Sequence, residues 1–368
     1  MERATARIDH EAIRANCARL KAVLGEAELC AVVKADGYGH GADAGAAAAL
    51  DGGATRLAVA TASEAEQIGR RFQHVPLLTM GALTAEEVDG VISAGSELAL
   101  WREDFRRLLA DRARAHGHRA RVHVKYDSGM GRLGNRDAEE VLELARACAA
   151  DPDLELAGIW THFATADELD SSYFDEQLDR FEEVAKAVKA EHAEVLVHAA
   201  NSAAVLRDRR SHFEMARCGV AIYGLDPFQR DPAEQELRPA LSLCSYVADV
   251  KDFAAGASVG YGQNWKAPVD TQVGVIPLGY GDGVRRALTN NADVLVRGRR
   301  HPLVGTVSMD NVTIDLGPET EVRPGDEAVL VGRQGEEQIL AEEVAARLDT
   351  INYEVTCAIS PRVPRRSA

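Results

Sequence analysis

Lysine is scarce in this chain. Seven occur in 368 residues, at 21, 34, 125, 186, 189, 251 and 266, against 35 arginines. Solubility is met with arginine, so a lysine that closes an apolar run needs a reason to be there. A positive excess is missing too. The formal net charge is −16, so no basic surface is available to release counterions from a nucleic acid or to dock on anionic lipid. No apolar run approaches the roughly 18 residues of a membrane helix. The first 20 residues carry Glu2, Arg3, Arg7, Asp9 and Glu11 and no apolar block of the secretory kind. Six cysteines lie far apart with no C-x-x-C, and no H-E-x-x-H occurs among eleven histidines, so neither a redox pair nor a metal site is expected. His116 and His118 flank a glycine among arginines and read as solvated. With 46% apolar and 27% charged residues the composition is that of a globular protein. These absences lead to an expectation: a soluble, cytoplasmic enzyme of two to three domains, with neither nucleic acid nor membrane as partner.

What is present is alternation. Short apolar runs at 28–34, 56–61, 75–79, 96–100, 120–127, 154–162, 195–199 and 213–223 read as strands. Amphipathic stretches at 10–24, 63–71, 84–94, 101–116, 137–150 and 171–190 read as helices. Capping boxes are expected at Ser63/Glu66 and Thr84/Glu87. Eight strands, each followed by a helix, fit an N-terminal (β/α)8 TIM-like barrel. A doubly wound open sheet gives the same local pattern. Residues 227–240 contain three prolines and read as a linker. Short β runs follow at 241–250, 272–279, 293–297, 302–307, 312–316 and 327–331, with one helix at 341–348, so a C-terminal all-β domain is expected. The division predicted is 1–235 and 236–368.

Several residues could carry chemistry. Lys34 ends an apolar strand and is followed by ADGYGHGA. At the C-terminal face of a barrel, a partly desolvated lysine is a nucleophile; it could equally be a strand-end lysine reaching for water. Lys125 repeats the pattern, with glycines and Arg132 after it. Asn201-Ser202, and Gly219-Val220 after Arg217, offer backbone N–H groups and a hydroxyl suited to phosphate, or else simply a helix cap. Arg217 sits in an apolar run and must have a partner. Tyr261 lies between two glycines, where a phenol is more often a packed turn residue.

Ten segments together resemble the alanine racemase family, enzymes of fold type III that use pyridoxal 5'-phosphate (PLP). They are AVVKADGYGHGA, DSGMGRLG, THFATAD, NSAA, MARCGVAIYG, VGYGQNW, LGYGDG, GTVSMDN, INYEV and RVPR, in register across nearly the whole chain. The resemblance implies that Lys34 holds PLP as a Schiff base. It implies that Tyr38, Ser202, Gly219, Val220 and Tyr353 hold the phosphate, and that Arg217 faces the pyridine nitrogen with His162 in the same network. Arg132 would bind near the substrate carboxylate and the cofactor's phenolic oxygen, and Lys125 would be carbamylated to orient Arg132. Tyr261, with Met309 beside it, would reach the cofactor of a partner in a homodimer with shared active sites. Asp167, Tyr280, Arg286 and Ile351 would line the substrate corridor. The extreme N-terminus would join the β domain.

Racemisation removes a proton from one face of Cα and returns one to the other. A single base cannot easily serve both faces of a planar carbanion. The resemblance gives Lys34 to the D-substrate and Tyr261 to the L-substrate. The implied activity is interconversion of L- and D-alanine, supplying D-alanine for cell-wall peptidoglycan. Three sequence departures stand near the site: Ser308 where many members have cysteine, Gly260 where many have serine, and Ser128 for a common threonine. Alternatives are a racemase for serine or a broad range of amino acids, a related decarboxylase, and a non-catalytic PLP carrier. Tyr353 favours alanine, no decarboxylase signature is found, and the β domain argues against a carrier.

Overall fold

A computed structural model describes residues 2–368. The chain divides into two units. One runs from Ile13 to Gly37 and from Ala42 to Ile222; the other takes the chain up to Ala12, Tyr38–Gly41 and Tyr223–Ala368.

Strand β1 (Thr5–Ile8) belongs to the second unit. The next eight strands form the first: β2 (Glu28–Val32), β3 (Arg56–Val59), β4 (Leu77–Thr79), β5 (Glu97–Leu100), β6 (Ala120–Lys125), β7 (Leu154–Trp160), β8 (Leu196–His198) and β9 (Met215–Cys218). Every neighbour is parallel, and β9 pairs back onto β2 from Glu28↔Met215 to Ala31↔Cys218, so the sheet closes. Closure settles the choice between barrel and open sheet. The strand runs are apolar because helices cover their outer faces. The barrel interior is not uniformly aliphatic, however. In β6, Arg121, His123 and Lys125 alternate with the fully buried Val122 and Val124, so polar side chains occupy one face of the strand.

Several local expectations shift. The 63–71 helix starts at Ala62, and its capping box is Thr61/Glu64: the Thr61 hydroxyl accepts from Glu64 N, while the Glu64 carboxylate accepts from Thr61 N. Thr84 and Glu87 form a turn ahead of a shorter helix, Val88–Ser93, with no side-chain cap. The last barrel strand is followed only by a 3-10 turn, Val220–Tyr223, while the helix His10–Leu24 precedes the first. His116 is half-buried and pairs with Asp89 at 3.1 Å; it ends a helix rather than lying in a loop.

The second unit is mostly β. Its strands are β10 (Leu241–Tyr246), β11 (Asp249–Phe253), β12 (Ser258–Val259), β13 (Trp265–Lys266), β14 (Thr271–Ile276), β15 (Asp293–Val296), β16 (Arg299–Pro302), β17 (Val312–Gly317), β18 (Glu327–Gln334), β19 (Glu337–Ile339) and β20 (Arg365–Ser367). The largest sheet runs β16-β15-β18-β10-β1-β20, which draws the N-terminal strand in beside β10. The run 241–250 is thus two strands, and 302–307 is not one. Two helices, Ala341–Arg347 and Asn352–Cys357, stand where one was expected. Residues 227–240 are packed rather than loose: Pro232, Leu237 and Ala240 are buried. Among the described residues there is no disulfide, no cluster of potential metal ligands, and no helix long and apolar enough to cross a membrane.

Candidate active site

In the barrel unit, Lys34 lies two residues past the end of β2 and is half-buried. The chain then makes a left-handed turn, with φ of 52° at Ala35, 50° at Asp36 and 62° at Gly37. Glycine tolerates this; alanine and aspartate are strained by about 1–2 kcal/mol each. Side chains hold the turn. Glu64 Oε1 accepts from Ala35 N at 2.7 Å, and Asp36 Oδ1 accepts from Ala42 N at 2.9 Å. Glu64 thus caps its own helix and fixes the backbone beside Lys34.

Lys125 closes β6 and is buried. Its Nζ lies 4.1 Å from the centre of the Trp160 ring. Burial, then the charges of Arg217 and Arg132, push its amine down to about 7. Arg132 is exposed on the following loop. Asp127 shapes that loop, accepting from Gly129 N at 3.1 Å and from Gly131 N at 2.9 Å.

Arg217 is buried in β9, and its partners are all neutral. Nη1 contacts His198 Nδ1 at 2.9 Å; Nη2 donates to Thr161 O at 2.8 Å and Ala199 O at 3.0 Å, and meets His162 Nδ1 at 3.3 Å. Burial lowers its pKa to about 10, which leaves it charged at neutrality. His162 is driven well below the usual range, first by burial and then by Arg217, Lys125, Arg132 and Lys34. Ser202 Oγ accepts from Gly219 N at 3.1 Å and from Ala221 N at 3.3 Å, which brings Ser202 together with the Gly219-Val220 turn. Asp167 is exposed on the loop after β7. Arg207 ties that loop down by donating to Thr165 O at 3.0 Å, Glu168 O at 2.8 Å and Ser171 O at 2.9 Å.

In the second unit, three exposed side chains share one neighbourhood. Tyr280 N donates to Ser308 O at 3.0 Å and Gly281 N to Met309 O at 2.9 Å; Thr306 Oγ1 donates to Tyr261 O at 2.7 Å. Tyr261 is 74% exposed, Met309 52% and Tyr280 44%. Arg286 opens a 3-10 turn next to this loop, where Thr289 Oγ1 accepts from Val307 N at 3.2 Å. Ile351 and Tyr353 lie at the start of Asn352–Cys357, Ile351 exposed and Tyr353 half-buried. The Tyr38 ring lies 5.3 Å from that of Tyr223.

Sequence reasoning missed three buried residues joined to Arg217: Glu97, His123 and His198. For His123 the alternation R-V-H-V-K in β6 is a partial signal, a period of two inside an apolar run; Glu97 in β5 and His198 in β8 sit in short apolar runs that carry none.

The charges of Arg217, Arg132 and Lys34 act on both Lys125 and His162, and Asp127 opposes them at Lys125. A partly buried cation cluster calls for an anion. A strand-end lysine, neutral acceptors around a buried arginine and a serine–glycine turn suit PLP, which brings a phosphate and a phenolic oxygen.

This combination defines a class: barrel enzymes that hold an anionic cofactor beside a strand-end amine. The chain matches the alanine racemase N-terminal domain over residues 8–227 and the C-terminal domain over 240–367. It is 41% identical over 361 residues to the alanine racemase of Symbiobacterium thermophilum, covering 98% of this chain and 96% of that protein. Alanine racemase 1 of Bacillus subtilis is 40% identical over 363 residues, covering 98% and 92%. The crystal structure of the alanine racemase of Streptomyces lavendulae superposes with a TM-score of 0.95 at 33% identity, covering 100% and 97%. The chain belongs to the alanine racemase family, whose cofactor is PLP.

Proposed function

We propose that this chain interconverts L- and D-alanine in the cytoplasm, as a homodimer, and supplies D-alanine for the cell wall. The observation that carries this is the buried Arg217, held by His198, His162, Thr161 O and Ala199 O in the closed barrel whose strands also lead to Lys34 and Lys125, in a chain that matches both domains of the family. Bound PLP supplies a carbonyl that captures the amine of alanine and a ring that acidifies its Cα–H. Lys34 binds the cofactor and moves the proton on one face of Cα. The Tyr261 phenol moves it on the other, in the site of the partner protomer. The exposure of Tyr261, Met309 and Tyr280 on adjoining loops supports a partner covering that face.

Ser202, Gly219 and Val220 hold the phosphate, and the resemblance adds Tyr38 and Tyr353. Arg217 donates to the pyridine nitrogen. Because it stays charged, it does not surrender a proton there, and this restrains electron withdrawal by the ring. His162, kept neutral by burial and nearby cations, accepts from Arg217. Arg132 binds the substrate carboxylate. Lys125, with its amine near 7, has enough unprotonated nucleophile at neutral pH to take up carbon dioxide; the resulting carbamate is an anion that pairs with Arg132. Asp167, Tyr280, Arg286 and Ile351 line the approach of substrate.

The test is chiral chromatography after incubating the PLP-loaded protein with L-alanine, L-serine or L-lysine. D-alanine in excess of the other D-products is expected. No D-product sinks the proposal, and a larger yield of D-serine or D-lysine moves it to a serine or broad-range racemase.

A further inference from the structure

Four buried side chains cross the barrel interior in a line. Glu97 Oε2 meets His123 Nε2 at 2.7 Å, His123 Nδ1 meets His198 Nε2 at 2.9 Å, and His198 Nδ1 meets Arg217 Nη1 at 2.9 Å. The polarity of this chain is set by its ends. A guanidinium only donates, so His198 Nδ1 accepts and its proton sits on Nε2. His123 Nδ1 must then accept from His198, which leaves its proton on Nε2, facing a carboxylate that only accepts. A doubly protonated His123 would set two donors against each other. Both rings are therefore neutral and share one tautomer.

The surroundings keep this order. Glu97 also meets Arg56 Nη1 at 3.0 Å and Arg121 Nε at 3.3 Å. Burial disfavours its charge, but the hydrogen bond from His123 and the positive neighbours win and hold it at about 2. The Trp160 ring stacks on His198 at 5.6 Å and 7°. Position 158 is glycine in β7, where any Cβ would collide with the His123 ring.

We propose that Glu97 is a positioning residue for the reaction: acting through His123 and His198, it fixes the orientation of the Arg217 guanidinium and hence the donor offered to the pyridine nitrogen. The link to the pyridine rests on the proposed function; the tautomers do not. Glu97→Gln keeps shape and size but replaces one oxygen with an amide NH2. Every neighbour of the carboxylate is a donor, so that NH2 meets a donor either way: against His123 it breaks the order outright, and against the arginines it loosens the group that anchors His123.

Nitrogen-15 NMR of the histidine-labelled, PLP-loaded enzyme should show His123 and His198 protonated at Nε2 and bare at Nδ1. A proton on Nδ1 of either ring overturns the proposal. In Glu97→Gln, kcat for alanine should fall about tenfold, the scale of loss for outer partners of a functional group, with KM within about twofold. Pyruvate formed per racemisation should rise and the absorbance of bound PLP should shift. Unchanged kcat, pyruvate ratio and absorbance overturn the proposal. If Glu97→Gln does not fold, Gly158→Ala displaces His123 by a different route and should give the same three changes. Should the wild-type enzyme make no D-alanine, the proposed function fails, while the tautomers are still read independently.

Discussion

Arg217 carries a buried charge with no carboxylate touching it. Three carbonyl and imidazole acceptors on Nη2 and one imidazole on Nη1 take its place. Such a cation donates to a ring nitrogen without protonating it. Replacement by glutamate puts a proton-sharing acid in its place. Arg217→Glu should therefore raise pyruvate formation from alanine relative to racemisation, as measured with a coupled dehydrogenase; an unchanged ratio contradicts this. Lys125 makes a pH-dependent prediction. Burial and neighbouring cations lower its amine to about 7, so below that pH it is protonated and no longer reacts with carbon dioxide. Carbamate on Lys125, followed by carbon-13 NMR with labelled bicarbonate, should fall as pH drops through 7 and be absent in Lys125→Ala. Lys34, Lys125 and Arg217 were legible in the sequence because each interrupts or ends an apolar run in a chain poor in lysine. Glu97, His123 and His198 were not, because one sequence does not reveal which face of a short strand points into a closed barrel.

Elements were read better than their ends. All eight barrel strands fall inside the predicted runs, since parallel strands buried on both faces are nearly unbroken apolar text. The ends moved where side chains compete for the same backbone groups. Ser63/Glu66 looked like a capping box, yet Thr61/Glu64 won, because Glu64 also receives Ala60 N and Ala35 N. The loop carrying Asp167 is likewise set by a side chain from elsewhere, Arg207, whose guanidinium also lies 4.4 Å from the Phe174 ring. Arg207→Met should leave those carbonyls without their donor at a cost of about 1–3 kcal/mol. A lower melting temperature and a raised KM for alanine with kcat little changed are expected; a raised kcat with unchanged KM would show that the loop does not guide substrate.

At the scale of the molecule, the β unit captures the N-terminal strand, with β1 between β10 and β20. That pairing joins residues more than 230 apart, and a local reading of the sequence has no access to it. The β unit also presents Tyr261 to solvent, so the base proposed there needs a partner protomer to enclose it. A shared site makes a mixing prediction. Lys34→Ala and Tyr261→Phe dimers, each inactive, should regain about a quarter of wild-type activity when their protomers are exchanged at random, since each mixed C2 dimer rebuilds one site. No regain means the phenol serves its own chain. The most direct test of the two-base account follows the α-hydrogen itself, by mass spectrometry of alanine in deuterated water with the Tyr261→Phe enzyme. Deuterium should still enter D-alanine at Cα through Lys34, while L-alanine should keep its hydrogen. Equal exchange into both enantiomers would mean that the phenol of residue 261 is not the second base.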